Sequence, residues 1–294
     1  MTSIVIPAHN EARVIGRLLD SLLAEPAQPA QPSGSSESAG DETDIVVVCN
    51  GCTDDTARIA AERGPRVRVV EIPVPSKHAA LRAGDEHARG FPRLYVDADV
   101  VIGESDVRAL TAPLDDGTSG ILATAPERRI PLAGCAWRVR AYYQVWQRLP
   151  AVREGLFGRG VIAVSRAGHG RIATLPPLMA DDLAASLAFA PEERLVVGAA
   201  RVVVHPPRTW PDLLRRRVRA AVSTAQVERQ QRPPEASART GKADLLNVLR
   251  REPRLFLGVV VFVAAAVIAR RKAEKAVRAQ DFGTWLRDES SRQN

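Results

Sequence analysis

The 294-residue chain reads as an α/β protein, a mostly parallel sheet flanked by helices. Two observations predict this. Through the first hundred residues, short β-branched runs alternate with amphipathic stretches in the order β-α-β-α-β-α-β. The runs Ile45-Val46-Val47-Val48 and Leu94-Tyr95-Val96 are continuously apolar, as in strands buried on both faces. Apolar residues make up 45% and charged residues 26%, which suffices for a core.

Ile4-Val5-Ile6 is the first strand, and Pro7 stops it. Asn10 is expected to cap the next helix, with Glu11 in its first turn. Val14, Ile15, Leu18, Leu19, Leu22 and Leu23 then recur at helical spacing. Residues 24–43 are Pro, Gln, Ser, Gly and acids with little to bury, and they predict a flexible surface loop. Ile45–Val48 is the second strand. Asn50-Gly51 marks a turn, and Thr53 or Asp54 can cap a helix over Thr56–Arg63. Val67–Ile72 is a third strand, Lys77–Arg89 a helix, and Leu94–Val96 a fourth strand ending in Asp97-Ala98-Asp99.

Beyond Asp99 the pattern is mixed. Val107–Leu114 predicts a helix, Gly120–Thr124 a strand and Ala136–Leu149 a long aromatic helix. Gly158–Ser165 predicts a Gly-flanked strand, and a helix begins at Met179-Ala180-Asp181-Asp182. Val196-Val197 and Arg201–His205 predict two further strands. An arginine-rich helix is expected over Pro211–Arg229, then a polar linker to Gly241. Domains are therefore drawn as a sheet domain at 1–210 and a basic helical appendage at 211–294.

Charge follows that division. The net charge is +7, yet residues 211–294 hold 18 Lys/Arg against 9 Asp/Glu, so the first 210 residues are slightly acidic. A basic tail suits anionic lipid or a phosphorylated substrate. Without an aromatic platform or a known module, nucleic acid is not expected. Residues 255–269 are an uninterrupted apolar run between Arg254 and Arg270-Arg271-Lys272. At 1.5 Å per residue it reaches about 22 Å, short of a ~30 Å hydrocarbon core. It is expected to lie at a membrane interface or to pack against protein. The N-terminus lacks a basic start and a long apolar run, so no cleaved leader is expected. Three cysteines, with a single C-x2-C at Cys49 and Cys52, argue against structural zinc and fit a reducing compartment.

In open parallel sheets, ligands bind beyond the carboxyl ends of the strands. That places Ala8–Glu11, Asn50–Asp54 and Asp97–Asp99 on one rim. Asp-Ala-Asp offers two hard oxygen ligands to a divalent ion, although acids are equally at home in a strand-to-loop turn. Asp181 and Asp182 open a helix, where acids also suit the helix dipole. Neither a GxGxxG fingerprint nor a Walker-A loop is present.

Six pieces in one order resemble family 2 glycosyltransferases of the GT-A fold, over residues 2–220. These are Ile4–Glu11, Asn50–Thr56, Lys77 with Ala80 and Gly84, Asp97-Ala98-Asp99, Asp181-Asp182, and the arginine helix. The resemblance implies a Rossmann-like GT-A sheet with a helical C-terminal appendage. It further implies an inverting, metal-dependent transfer of a sugar from a nucleotide-diphosphate donor to an acceptor hydroxyl. Pro7, Ala8, Asn10 and Glu11 would line the donor pocket, Asn50 and Asp54 would border base and ribose, and Lys77 would approach the diphosphate. Asp97 would face ribose or metal, with Ala98 beside it. Asp99 would ligate Mg²⁺ or Mn²⁺, joined by His205. Asp182 would be the catalytic base with Asp181 as its neighbour, and Arg215–Arg217 would lie near diphosphate or acceptor. Many relatives carry an acid where Asn50 stands, which leaves the base open. The acceptor is expected to be lipid-linked or small, with peripheral membrane contact and a cytoplasmic location, at the inner face of the membrane. The competing readings are a silent sugar-nucleotide-binding or membrane-scaffold protein, and a sugar nucleotidyltransferase. The latter would want a Gly-rich basic loop where Ala8–Glu11 stands.

Overall fold

A computed structural model describes residues 1–24, 43–115, 119–175, 181–230 and 240–278. The predicted loop at 24–43 falls almost wholly outside them, as does most of the 230–241 linker. The chain forms two compact units, one of Met1–Arg129, Arg159–Leu175 and Phe189–Val204, the other of the remaining segments.

Within the first unit the described residues form one seven-stranded sheet. Its strands are β1 (Ser3–Ala8), β2 (Asp44–Asn50), β3 (Val67–Ile72), β4 (Arg93–Val96), β5 (Ala123–Arg129), β6 (Val161–Val164) and β7 (Arg194–Val203). Their spatial order is β3-β2-β1-β4-β6-β5-β7. β6 runs antiparallel between β4 and β5, and the other pairings are parallel. The helices are α1 (Ile15–Leu23), α2 (Thr56–Ala61), α3 (Lys77–His87), α4 (Glu104–Asp115), α5 (Trp137–Trp146), α6 (Pro150–Glu154), α7 (Arg166–Ile172), α8 (Asp181–Leu187), α9 (Trp210–Gln230), α10 (Lys242–Arg251) and α11 (Phe256–Arg278).

β1 and β2 are buried at every position, which explains their unbroken apolar runs. One face packs Ile4, Ile6, Ile45 and Val47 against Ile15, Leu18, Leu19 and Leu110. On the other face, Val46 and Val48 meet Ala80 of α3. Gly84 is what lets α3 approach: a Cβ there would lie 2.2 Å from Val5 Cγ1. At the amino edge of the sheet, buried Asp44 accepts from the Ser3 hydroxyl at 3.0 Å, the Arg89 amide at 3.1 Å and Arg68 Nη2.

Pro7 does not stop the first strand, which runs through it to Ala8 and pairs Pro7 with Val48. Three further expectations change. α1 starts at Ile15 with no side-chain cap, because Asn10 takes a left-handed conformation (φ 53°) and points its amide elsewhere. The two late strands are one ten-residue strand, β7, whose pairing with β5 shifts register between Pro126 and Glu127. The sheet and the C-terminal helices do not divide at residue 210: residues 130–158 belong to the second unit. The cause is the aromatic helix. Within the second unit, Tyr142 of α5 stacks on Phe262 of α11 with centroids 5.1 Å apart, and Tyr143 meets Tyr142 edge-on. Leu213 joins the same core, while Val218 and Val222 of α9 pack with Ala269 and Ala273. α11 runs 23 residues, longer than its apolar run. Pro253–Lys275 is long and apolar enough, by length and composition, to cross a membrane.

Candidate functional site

The carboxyl ends of β1, β2 and β4 lie together on one rim of the first unit, as parallel pairing of β1 with both neighbours requires. Pro7 and Ala8 are buried strand residues. Ala8 presents its carbonyl, which accepts from Asn50 Nδ2 at 3.0 Å and from the Cys52 thiol at 3.4 Å. The His9 ring donates from Nδ1 to the Asn50 carbonyl at 2.6 Å. Because a carbonyl only accepts, the proton sits on Nδ1.

Asn10 is one of the few residue types that adopt a left-handed backbone readily. That twist aims Oδ1 at the Thr53 amide, 2.8 Å away. The β1 and β2 loops are thereby stitched together. The Glu11 amide donates to Thr56 Oγ1 at 2.8 Å and the Ala12 amide to Asp54 Oδ2 at 3.2 Å. Asp54 Oδ1 accepts from the Thr56 amide two residues on, at the start of α2, whose N-cap is Asp55 without a side-chain bond. Asp54 thus braces its own turn with Oδ1 and reaches the β1 loop with Oδ2. Glu11 is itself buried. Gly51 turns at φ 58°, where a Cβ would come within 2.9 Å of Pro75 N.

Asn50 is 2% exposed. Its Nδ2 is fixed by the Ala8 carbonyl, which sets the orientation of the amide. Its Oδ1 is then buried with no hydrogen-bond partner among the described residues. A buried acceptor left unmatched costs about 1–3 kcal/mol, so this atom is prepared for a donor that the protein does not supply.

The acidic pair sits in a tight turn after β4. The Asp97 amide donates to the Gly160 carbonyl at 2.7 Å, and Val100 N returns to the Asp97 carbonyl. Ala98 is buried between two half-exposed carboxylates. Gly160, at φ 67°, permits this approach: a Cβ would stand 2.5 Å from Val100 Cγ1 and 3.3 Å from Asp97 Oδ2. Lys77, the first residue of α3, places Nζ 2.8 Å from Asp97 Oδ1. Val101 bridges Val203 antiparallel, and the chain leaves this unit at Val204.

The remaining candidates lie in the second unit. Asp181 and Asp182 are the first two residues of α8, where the backbone alone is described. His205 is half-buried, and its carbonyl accepts from Arg216 Nη1 at 3.3 Å. The arginine triplet divides three ways: Arg215 pairs with Asp212, Arg216 holds the His205 backbone, and Arg217 stands 5.9 Å over the Tyr142 ring. Among the described residues no three His, Cys, Asp or Glu side chains gather as a ready metal cage.

His9 and Arg159 had no expected role, and Thr53 was expected only as a helix cap. Arg159 is 2% exposed and donates to the Pro126 carbonyl at 2.8 Å. Burial pushes its pKa down to about 10, against the pull of Glu127. Its flanking glycines were the only sequence signal for this crowding. All three cysteines are free, and burial beside Cys52 pushes the Cys49 thiol up to about 12.

Known proteins share the sequence family and the fold. The family model "Glycosyl transferase family 2" matches residues 3–169. A dolichyl-phosphate beta-glucosyltransferase of Trichomonas vaginalis is 37% identical over 102 residues, covering 33% of this chain and 29% of that protein. An undecaprenyl-phosphate 4-deoxy-4-formamido-L-arabinose transferase of Shewanella sediminis is 31% identical over 124 residues, covering 40% and 34% respectively. The chain thus matches about a third of the length of these relatives. Among solved structures, a mannosyltransferase of Pyrobaculum calidifontis in complex with GDP-Man and Mn²⁺ superposes with a TM-score of 0.57 at 19% identity, covering 99% of this chain and 84% of that one. A glucosyl-3-phosphoglycerate synthase of Mycobacterium tuberculosis, solved with Mn²⁺ and UDP, superposes with a TM-score of 0.54 at 22% identity, covering 80% and 81%. The fold is GT-A, and the chain belongs to glycosyl transferase family 2.

Proposed function

We propose that this chain is an inverting, metal-dependent glycosyltransferase that moves a sugar from a nucleotide-diphosphate donor to an acceptor hydroxyl. The observation that carries this reading is the buried, unmatched Oδ1 of Asn50 on the rim of strand ends. A nucleobase N–H is a donor of the right kind, and a rim of this type is where parallel sheets bind nucleotides. Pro7, Ala8, Asn10, Glu11 and Asp54 shape the base and ribose side of the pocket. Lys77 holds Asp97 and Ala98 at the diphosphate end.

A half-exposed carboxylate without a preassembled cage fits Mg²⁺ or Mn²⁺, which takes one or two carboxylates and fills its shell with substrate phosphate and water. Asp99 would hold the ion, and when bound the ion would supply charge neutralisation at the leaving diphosphate. Asp182 takes the proton from the acceptor hydroxyl as that oxygen attacks the anomeric carbon, and Asp181 sits beside it. A single displacement inverts the anomeric centre. The named relatives act on polyprenyl phosphates, which supports a lipid-borne acceptor met at a membrane.

A thermal-shift panel of nucleotide sugars, each with and without Mn²⁺, tests donor and metal together. A silent binding protein would respond to donors yet release no nucleoside diphosphate in the presence of any acceptor. The Asp182→Asn variant should keep its donor-induced shift and lose turnover by two or more orders of magnitude. Turnover at the original rate would place the base elsewhere.

A further inference from the structure

Helix α11 is apolar on two faces, and the described residues cover only one. The inner face packs Val259, Phe262, Ala265 and Ala269 within the second unit, with Phe262 stacked on Tyr142. Gly258 lets α5 close in, since a Cβ there would stand 3.1 Å from Val145 Cγ2. The outer face bears Phe256, Leu257, Val260, Val263 and Val267, between 42% and 70% exposed. Their spacing follows one side of the helix over three turns.

Basic side chains bracket this stripe. Arg250, Arg251 and Arg254 are exposed at its amino end, and Arg270, Arg271 and Lys272 at its carboxyl end. Arg254 pairs with Glu252 at 3.0 Å, which Arg148 also holds, and Glu274 is the acid near the other end. Three cations against Glu252 at the amino end, and four against Glu274 at the carboxyl end with Lys275 included, leave each end net positive.

We infer that the outer face of α11 lies in the head-group region of an anionic bilayer, parallel to its plane, while the inner face stays in the core of the second unit. Two observations exclude the alternatives. A transmembrane placement would pull Phe262, Ala265 and Ala269 away from α5 and α9, with which they pack. A second copy laid on the stripe, in either direction, would set arginines against arginines at both ends, and like charges facing each other disfavour association. Anionic lipid answers both the apolar stripe and the cations. The catalytic chain would then sit on the surface that carries a lipid-linked acceptor.

The test is flotation of the full chain with vesicles of phosphatidylcholine alone and of phosphatidylcholine mixed with phosphatidylglycerol. Neither donor nor metal is present, so the result is read separately from any transfer assay. The chain should float with the mixed vesicles, less with the neutral ones, and less in high salt. The double variant V260E/V263E alters exposed positions and should keep its thermal midpoint while binding falls at least ~10-fold. Replacing Arg270, Arg271 and Lys272 by Gln should remove the preference for anionic vesicles. Alkaline carbonate should release the bound chain. Absence of flotation, unchanged flotation of V260E/V263E, or resistance to carbonate would each overturn the assignment. So would a solution dimer that V260E/V263E returns to monomer.

Discussion

Lys77 Nζ bonds Asp97 Oδ1 at 2.8 Å across twenty residues of sequence, tying the start of α3 to the end of β4. The contact gives the two acids of Asp97-Ala98-Asp99 different environments. Both partners are about two-fifths exposed, so water screens the pair. Lys77→Ala should change stability by less than about 1 kcal/mol. It should weaken nucleoside diphosphate binding on the order of tenfold, because the diphosphate end loses its cation and the Asp97 charge is left uncompensated. Thermal melts and titrations of the same preparation separate the two effects.

Asn50 holds the Ala8 carbonyl with one end of its amide and offers a buried acceptor with the other. Asn50→Ala takes the amide donor from the Ala8 carbonyl and leaves it the Cys52 thiol, and should destabilise the protein by about 1 kcal/mol in urea. Saturating nucleoside diphosphate should restore less of that stability than it adds to the parent chain, since the base contact is gone. Equal stabilisation of both proteins would show that the base does not reach Asn50.

Gly84→Ala drives a methyl group to 2.2 Å from Val5 Cγ1. Overpacking of this kind should cost about 1–3 kcal/mol. Val5→Ala in the same chain should recover part of the loss, and a double-mutant cycle in denaturant measures the coupling.

Asp44 predicts the acid limb of the stability profile. Burial alone would raise its pKa, but Arg68, the Arg89 amide and the Ser3 hydroxyl outweigh burial and hold it below the ordinary 3.8. The folded value is the lower one, so its contribution is complete above the unfolded pKa and fades as pH falls through the folded pKa. Asp44→Asn should therefore be less stable at neutral pH and show a shallower loss on acidification. Asp85, also held below its ordinary value by His169, Tyr95 and Arg93 against its burial, accounts for part of the slope that remains. Urea titrations across the acid range provide the comparison.

The sheet was legible because strands buried on both faces leave continuous apolar runs, as at Ile45–Val48. The rim was legible because chain reversals at strand ends need Asn, Gly and Asp. What escaped depends on contacts distant in sequence. Asn10 has the composition of a helix cap, yet a bond to Thr53, 43 residues away, draws it into a left-handed turn. Asp54 was expected beside base and ribose, and the bonds from the Thr56 and Ala12 amides that hold its carboxylate were not legible. The aromatics of α5 revealed a packing helix but not its partners, since no helical periodicity names the face it meets. Arg159 was placed in a Gly-flanked strand, and only the sheet around it makes its side chain buried.

The central claim is that Asp99 holds the ion that binds the donor diphosphate. The most direct measurement is calorimetric titration of a nucleoside diphosphate, with and without Mn²⁺, into the parent chain and Asp99→Ala. The parent should bind at least ~10-fold more tightly with Mn²⁺, and Asp99→Ala should show no such gain. An Asp99→Ala variant that keeps the full Mn²⁺-dependent gain would contradict the assignment.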